Sequence, residues 1–208
     1  MRCEWPKEMR QKIWEEFKSH GVFKEGGHFL LTSGRHSDAY FDKNRVFIHP
    51  YMMRQLAALL SEGVRSWDPD ILVGPAMGGA FLAQATATDL SQRLGREVLA
   101  LFAEKGPGKE TVQPVFALRR GYRNLVSGKR VALLEDVVTT GGSAYQVFQL
   151  LQDAGATVVG SVCLVFRSTL PVPFPLEWVW KLGWPSWEPS ECPMCREGKR
   201  SLVRLSDT

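Results

Sequence analysis

Apolar and polar positions alternate along this chain with two different periods, and the change between them marks the elements. Residues 6–19 carry Ile13, Trp14 and Phe17 at helical spacing, with Gly21 just beyond, which predicts an amphipathic helix. The stretch 26–47 (GGHFLLTSGRHSDAYFDKNRVF) has two short apolar runs flanking Ser33-Gly34, the pattern of a β-hairpin or a pair of short strands. Pro50 opens a second predicted helix, to about Val64, with Met53, Leu56, Ala57 and Leu60 on one face.

From there strand and helix patterns take turns. Ile71–Val73 is a short apolar run, followed by a Gly-rich turn (74–79) and a helical pattern from Ala80 to about Leu94, which Gly95 can stop. Glu97–Phe102 predicts a second strand and Val131–Leu134 a third, uniformly apolar as expected of a strand covered on both faces. A helix is predicted from about Gly142, with Val147, Leu150, Leu151 and Ala154 as its stripe, and a fourth strand over Thr157–Phe166. Two βαβ units in tandem imply an α/β fold: an open, mainly parallel sheet flanked by helices.

Two stretches break the pattern. Residues 103–124 hold Gly106, Pro107, Gly108, Pro114 and Gly121 among Lys105, Lys109, Arg119, Arg120 and Arg123, which predicts a long polar loop of the kind used as a lid. Residues 168–208 are rich in Pro and Trp, and are expected to wrap the surface.

Composition changes this picture little. With 208 residues, 44% hydrophobic and 23% charged, the chain has enough apolar matter for one sizeable core. The net charge of +4 suits an acidic small molecule and is too weak to imply nucleic acid. The charged N-terminus lacks an export signal's apolar stretch, and no run is long enough to span a membrane, so the cytoplasm is the expected setting. Cys3, Cys163, Cys192 and Cys195 are too irregular for a disulfide framework. Cys192-Pro-Met-Cys195 has the spacing of half a zinc knuckle. His20, His28, His36 and His49 show no paired spacing to complete it, so the two cysteines are expected to be a reduced structural pair, with a redox-labile disulfide or a metal shared between subunits as the alternatives.

The chemistry concentrates in RVALLEDVVTTGGS, Arg130–Ser143. A strand runs into Glu135-Asp136, then Val137-Val138, then Thr139-Thr140-Gly141-Gly142-Ser143 at a helix N-terminus. Ligands of open parallel sheets bind beyond the carboxyl ends of the strands. Small residues with free backbone N–H groups at a helix start form an anion nest. With two carboxylates beside it to accept sugar hydroxyls, the implied ligand is a phosphorylated ribose. Neither the P-loop pattern nor the dinucleotide G-x-G-x-x-G pattern is present.

LLEDVVTTGGS resembles the phosphoribosyl pyrophosphate signature of type I phosphoribosyltransferases. The resemblance implies that family's fold, with a small N-terminal hood (residues 1–48), an α/β core (50–168) and a C-terminal tail (169–208) in a single domain. It implies that Glu135 and Asp136 bind the ribose 2′- and 3′-hydroxyls, that the following residues through Ser143 bind the 5-phosphate, and that Mg²⁺ accompanies the pyrophosphate. FLLTSGRHSDAYFDKNRVF is similar to the N-terminal hairpin of orotate phosphoribosyltransferases, VGPAMGGAFLA to their pyrophosphate loop, and VCLVFRS ends a strand with Arg167, where that family places an arginine that grips the base. A guanidinium suits a base carboxylate because it binds it through two parallel hydrogen bonds.

On this reading Met77, Gly78, Gly79, Lys105, Arg119 and Arg120 meet the pyrophosphate. Thr139 and Arg167 hold the base, and Lys105 and Asp136 are the candidate catalytic groups. Some relatives have a lysine where this chain has Met77, and others a lysine where it has Thr32. The Arg-Lys-x-x-Lys run of well-known members is FAEKGPGKE here. Arg35 and Lys43 are expected to serve the hairpin's structure as readily as the substrate. The partners implied are phosphoribosyl pyrophosphate, orotate and a second copy of the chain. Two rival readings share the donor: a purine-base phosphoribosyltransferase, and a regulator that senses phosphoribosyl pyrophosphate without catalysis.

Overall fold

The computed structural model describes residues 4–31, 33–106, 115–168, 171–198 and 200–204. Helix α1 (Lys7–Ser19) leads into a hairpin of β1 (Phe23–Leu30) and β2 (His36–Phe41). The short helix α2 (Lys43–Phe47) and α3 (Pro50–Val64) follow. The centre comprises β3 (Ile71–Pro75), α4 (Gly78–Leu94), β4 (Leu99–Gly106), β5 (Val115–Ala117), α5 (Tyr122–Val126), β6 (Arg130–Val138), α6 (Gly142–Asp153) and β7 (Thr157–Phe166). The C-terminal part adds β8 (Glu177–Lys181), α7 (Pro193–Glu197) and β9 (Val203–Arg204).

The main sheet runs β5-β4-β3-β6-β7-β8, parallel except where β5 turns back against β4. The expected α/β fold, an open and mainly parallel sheet with helices on both faces, is therefore what the chain adopts. A second sheet, β2-β1-β9, joins the N-terminal hairpin to the C-terminal strand.

The uniformly apolar strands are sorted by their period of two. Leu72, Ala132 and Leu134 face the layer of α3 and α4, while Ile71, Val73, Val131 and Leu133 face α6. Burying each such side chain contributes about 1.5–3 kcal/mol, so the centre of β3 and β6 is the least movable part of the molecule.

Several boundaries differ from the sequence reading, each for a physical reason. β6 runs through Val138 and so includes the acidic pair; Val137 and Val138 keep pairing with Val165 and Phe166 of β7. α4 starts at Gly78, two residues before the predicted start. The second strand covers Leu99–Gly106 where Glu97–Phe102 was expected, because Glu104–Gly106 pair with Val115–Ala117. That hairpin and the start of α5 occupy part of the expected polar loop; residues 107–114 of it, with Pro107, Gly108, Lys109 and Pro114, lie outside the described residues.

The tail is more than a surface wrap. β8 is an edge strand of the main sheet, with Val179 and Trp180 buried. The Trp180 ring lies 5.3 Å from Phe17 and 6.0 Å from Trp14, centroid to centroid, so the tail seals α1 onto the core. No helix among the described residues is long and apolar enough to cross a membrane.

Candidate active site

The alternation that sorts the core also divides the acidic pair. Glu135 continues the row of Val131 and Leu133, and Asp136 continues that of Ala132 and Leu134, so the two carboxylates leave the strand on opposite faces. Both line a cavity of about 360 Å³ at the carboxyl end of the sheet, beside the loop 75–78, Lys105, Thr139, Ser143 and Arg167. Glu135 also faces the smaller recess formed by Val137–Ala144; Asp136 does not.

That recess is built around backbone. Gly141 takes φ = 82° as the N-cap of α6, and it has no side chain with which to cap the helix. The start of α6 lines the recess, ringed by the hydroxyls of Thr139, Thr140 and Ser143, and its first N–H, that of Gly142, donates to Thr140 Oγ1 at 3.5 Å. Val138, Gly141 and Gly142 line this recess and not the larger cavity.

On the other face, Asp136 sits against the loop that joins β3 to α4. A Cβ placed on Gly78 would lie 1.7 Å from Asp136 Oδ2, and one on Gly79 would lie 2.6 Å from the Leu134 carbonyl. Glycine at both positions lets the loop lie directly on β6. The Ala76–Met77 peptide within it is cis. Asp136 Oδ1 accepts the Val137 N–H at 2.6 Å, and Oδ2 is 2.7 Å from Lys43 Nζ.

These contacts set the charges. Burial, and then the neighbouring charge of Asp136, hold the Glu135 carboxyl well above the usual range. Burial works against the Lys43 ammonium, yet the charges of Asp136 and Glu135 outweigh it and raise its pKa. Burial, and then the charge of Asp42, raise Tyr40, which stays a phenol able to donate into the cavity it lines.

Arg167 enters from the end of β7. Its N–H donates to the Val138 carbonyl at 2.8 Å, which continues the ladder one residue past the strand. Its guanidinium lies 5.3 Å from the Trp184 ring, and Nη2 donates to Ser37 Oγ at 3.3 Å. Nε is buried and has no hydrogen-bond partner among the described residues. Burial lowers the pKa of Arg167, and Asp38 and Tyr40 oppose that shift.

The residues expected from the sequence are thus divided. Met77, Gly78, Lys105, Glu135, Asp136, Val137, Thr139, Ser143 and Arg167 share one cavity. Gly79 is buried and does not line it. Arg119 and Arg120 do not line it: Arg120 Nε donates to Glu104 Oε1 at 2.7 Å, and Arg119 Nε is 3.9 Å from the same carboxylate. Their place follows from the β4–β5 register, which sets Ala117 opposite Glu104 and carries the two arginines back past that side chain. Tyr40 is a polar cavity residue that the sequence did not single out, and Lys43, left open between hairpin structure and substrate, also lines the cavity. Both lie inside the quoted hairpin segment, and only the fold brings them against Asp136. Arg35 is structural, bound to Ser186 and Glu188 of the tail. Thr32 lies outside the described residues.

Comparison with known proteins identifies the family. Residues 42–180 match the model of the phosphoribosyl transferase domain. An orotate phosphoribosyltransferase of Caldanaerobacter subterraneus is 37% identical over 191 residues, covering 91% of this chain and 93% of that one. One of Heliobacterium modesticaldum is 40% identical over 205 residues, covering 96% and 99%. The crystal structure of Mycobacterium tuberculosis orotate phosphoribosyltransferase in complex with Fe(III) dicitrate superposes with a TM-score of 0.62 at 25% identity, covering 84% of this chain and 97% of that one. With the acid pair, the anion recess and Arg167 gathered at one sheet end, the chain belongs to the phosphoribosyl transferase domain family, among the orotate phosphoribosyltransferases.

Proposed function

We propose that this enzyme transfers the 5-phosphoribosyl group of phosphoribosyl pyrophosphate to orotate, giving orotidine 5′-monophosphate and pyrophosphate, a step of pyrimidine nucleotide synthesis. The observation that carries the choice of base is Arg167, whose buried Nε lacks a partner among the described residues in the cavity that holds the acid pair. A buried donor left unmade is costly, and a carboxylate on the base completes it.

The recess at the start of α6 binds the 5-phosphate through backbone N–H groups and the hydroxyls of Thr139, Thr140 and Ser143. Glu135 and Asp136 accept hydrogen bonds from the ribose 2′- and 3′-hydroxyls, one from each face of β6. Held at both ends, C1′ lies below the loop of Pro75–Gly78, where the pyrophosphate rests, with Lys105 beside it. The C1′–O bond to pyrophosphate breaks and its electron pair leaves with the pyrophosphate. The C1′–N1 bond to orotate forms, and the N1 proton passes to water. Lys105 neutralises the departing charge, and the acid pair steadies a ribose that becomes oxocarbenium-like. Tyr40 lines the pocket for the base beside Arg167, whose guanidinium is held from behind by the buried Ser37.

Glu135 and Asp136 bring hard oxygen donors to the place where the pyrophosphate would lie, so the site fits Mg²⁺. Bound mainly through the pyrophosphate, that ion supplies positive charge to the leaving group. The hood, core and tail act as one unit, since the cavity draws on the first two and the tail packs against both. The chain works as a cytoplasmic homodimer. Ile48, Tyr51 and Phe81 are exposed, and the Phe47 and Phe81 rings lie 5.4 Å apart, apolar surface suited to a second copy.

A turnover panel of orotate, uracil, adenine, hypoxanthine and xanthine tests the assignment. Orotate alone is expected to give nucleotide and pyrophosphate. Product from a purine with none from orotate overturns it, and donor binding without pyrophosphate release points to a sensor.

A further inference from the structure

Outside the lining of the cavity, four side chains converge that the sequence spacing did not join. His28 and His36 lie on adjacent strands. His36 pairs with Leu30 across the hairpin, which puts His28 two residues along on the same face, within side-chain reach. Cys192 and Cys195 come from the tail, at the start of α7 and one turn along it. The missing half of the zinc knuckle is therefore a cross-strand histidine pair.

One ligand atom from each of the four lies within 4.8 Å of every other. His28 Nε2 is 2.9 Å from His36 Nδ1, 3.5 Å from Cys192 Sγ and 3.6 Å from Cys195 Sγ; Cys195 Sγ is 3.3 Å from His36 Nδ1. A tetrahedron with Zn–N of about 2.0–2.1 Å and Zn–S of about 2.3 Å has N–N edges of about 3.3 Å and N–S edges of about 3.5 Å. These three N–S edges, 3.3–3.6 Å, match those proportions, and the N–N edge is about 0.4 Å short of the tetrahedral value.

The surroundings point the same way. His28 Nδ1 is 3.1 Å from the Arg200 carbonyl, so this nitrogen carries the proton and Nε2 turns its lone pair toward the cluster. His28, His36 and Cys192 are buried, the last completely. Two thiolates and two neutral imidazoles balance a divalent ion, and two sulfurs with two nitrogens in a tetrahedron select zinc over harder cations.

We propose that His28, His36, Cys192 and Cys195 form a closed, structural Zn²⁺ site that fastens the C-terminal segment to the hood hairpin. Four protein ligands leave no open position for substrate, so the ion's role is to hold. What it holds bears on the cavity. Next to His36, Ser37 Oγ donates to the Pro185 carbonyl at 2.7 Å and accepts from Arg167 at 3.3 Å. The His36 and Trp187 backbones exchange two hydrogen bonds of 2.8 Å.

Elemental analysis of the full chain, purified without chelator, is expected to find one zinc per chain, and none in the Cys192→Ser/Cys195→Ser variant. Cobalt replacing zinc in the unaltered chain should give the strong visible bands of a tetrahedral site with a thiolate-to-cobalt charge-transfer band. Stripping the metal is expected to lower Tm by about 10 °C. Should the variant fail to fold, the cobalt spectrum still decides. The proposal is overturned by a chain that holds and takes up no zinc, by an octahedral cobalt spectrum without thiolate bands, by iron in zinc's place, or by a Cys192–Cys195 disulfide in the native protein.

Discussion

Lys43 Nζ lies 2.7 Å from Asp136 Oδ2, an ion pair that links the segment after the hood hairpin to the end of the central strand. Asp136 is buried and Lys43 is half-exposed, so the lysine holds the carboxylate's orientation more than it adds to stability. Lys43→Ala is expected to lower kcat/KM by about 10- to 100-fold, the weight of one charge-assisted hydrogen bond, with a smaller effect on Tm. Steady-state kinetics beside thermal unfolding test this; a variant that loses stability but keeps its kinetics contradicts it.

Gly78 makes room for the same carboxylate. Its replacement by alanine puts a Cβ 1.7 Å from Asp136 Oδ2, so the loop or the side chain must move. An overpacking cost of about 1–3 kcal/mol corresponds to roughly 3–10 °C in Tm for a chain of this size. KM for phosphoribosyl pyrophosphate should rise as well. Gly183→Ala, where a Cβ meets nothing within 4 Å, is the control and should change neither.

Glu135 gives a pH signature. Its carboxyl is raised in the folded chain, so the native state holds the proton that the unfolded state has released. Stability from this group is whole below its ordinary value of 4.5 and declines as pH rises from there through the raised native value. Glu135→Gln removes that decline. The difference in unfolding free energy between the variant and the parent chain should grow in the variant's favour with rising pH over this window. A difference that stays flat with pH refutes the raised value.

Arg167 should separate the two substrates. Arg167→Ala is expected to raise KM for orotate by about 10- to 100-fold and to alter that for the donor much less. Arg167→Lys should recover little, because a point charge cannot reproduce the guanidinium fork or its stacking on Trp184. Equal loss for both substrates would place Arg167 outside the base pocket.

Among the basic residues, Lys105 lines the cavity whereas Arg119 and Arg120 rest on Glu104. Lys105→Ala should cut kcat by about 10²-fold, the scale of losing one donor to a developing charge. Removing both arginines should cost less than tenfold. The reverse order, measured by single-turnover kinetics, would mean that the arginines swing in when substrate binds.

Much of this was legible because it is local. Val131–Ser143 encodes strand, acid pair, anion loop and helix start in consecutive residues, and the alternation along β6 assigns each carboxylate its face. Lys43 and Tyr40 were not legible in the same way: their value comes from a hairpin folding over a strand almost 100 positions later in the chain. The histidine pair was hidden too. Eight residues apart, His28 and His36 match no ligand spacing, and only the hairpin register makes them neighbours. In the tail, prolines on either side concealed a strand of five residues, so Val179 and Trp180 read as surface when they are core.

The segment after β7 is joined to both sheets. Leu182 N–H donates to the Phe166 carbonyl, Trp187 is bridged to His36, and β9 pairs with β1. Hood and core consequently share one mechanical strap, and neither can open far while the other stays closed. Amide exchange should therefore reveal a single slowest-exchanging group spanning β1, β6 and β7, with one common opening free energy.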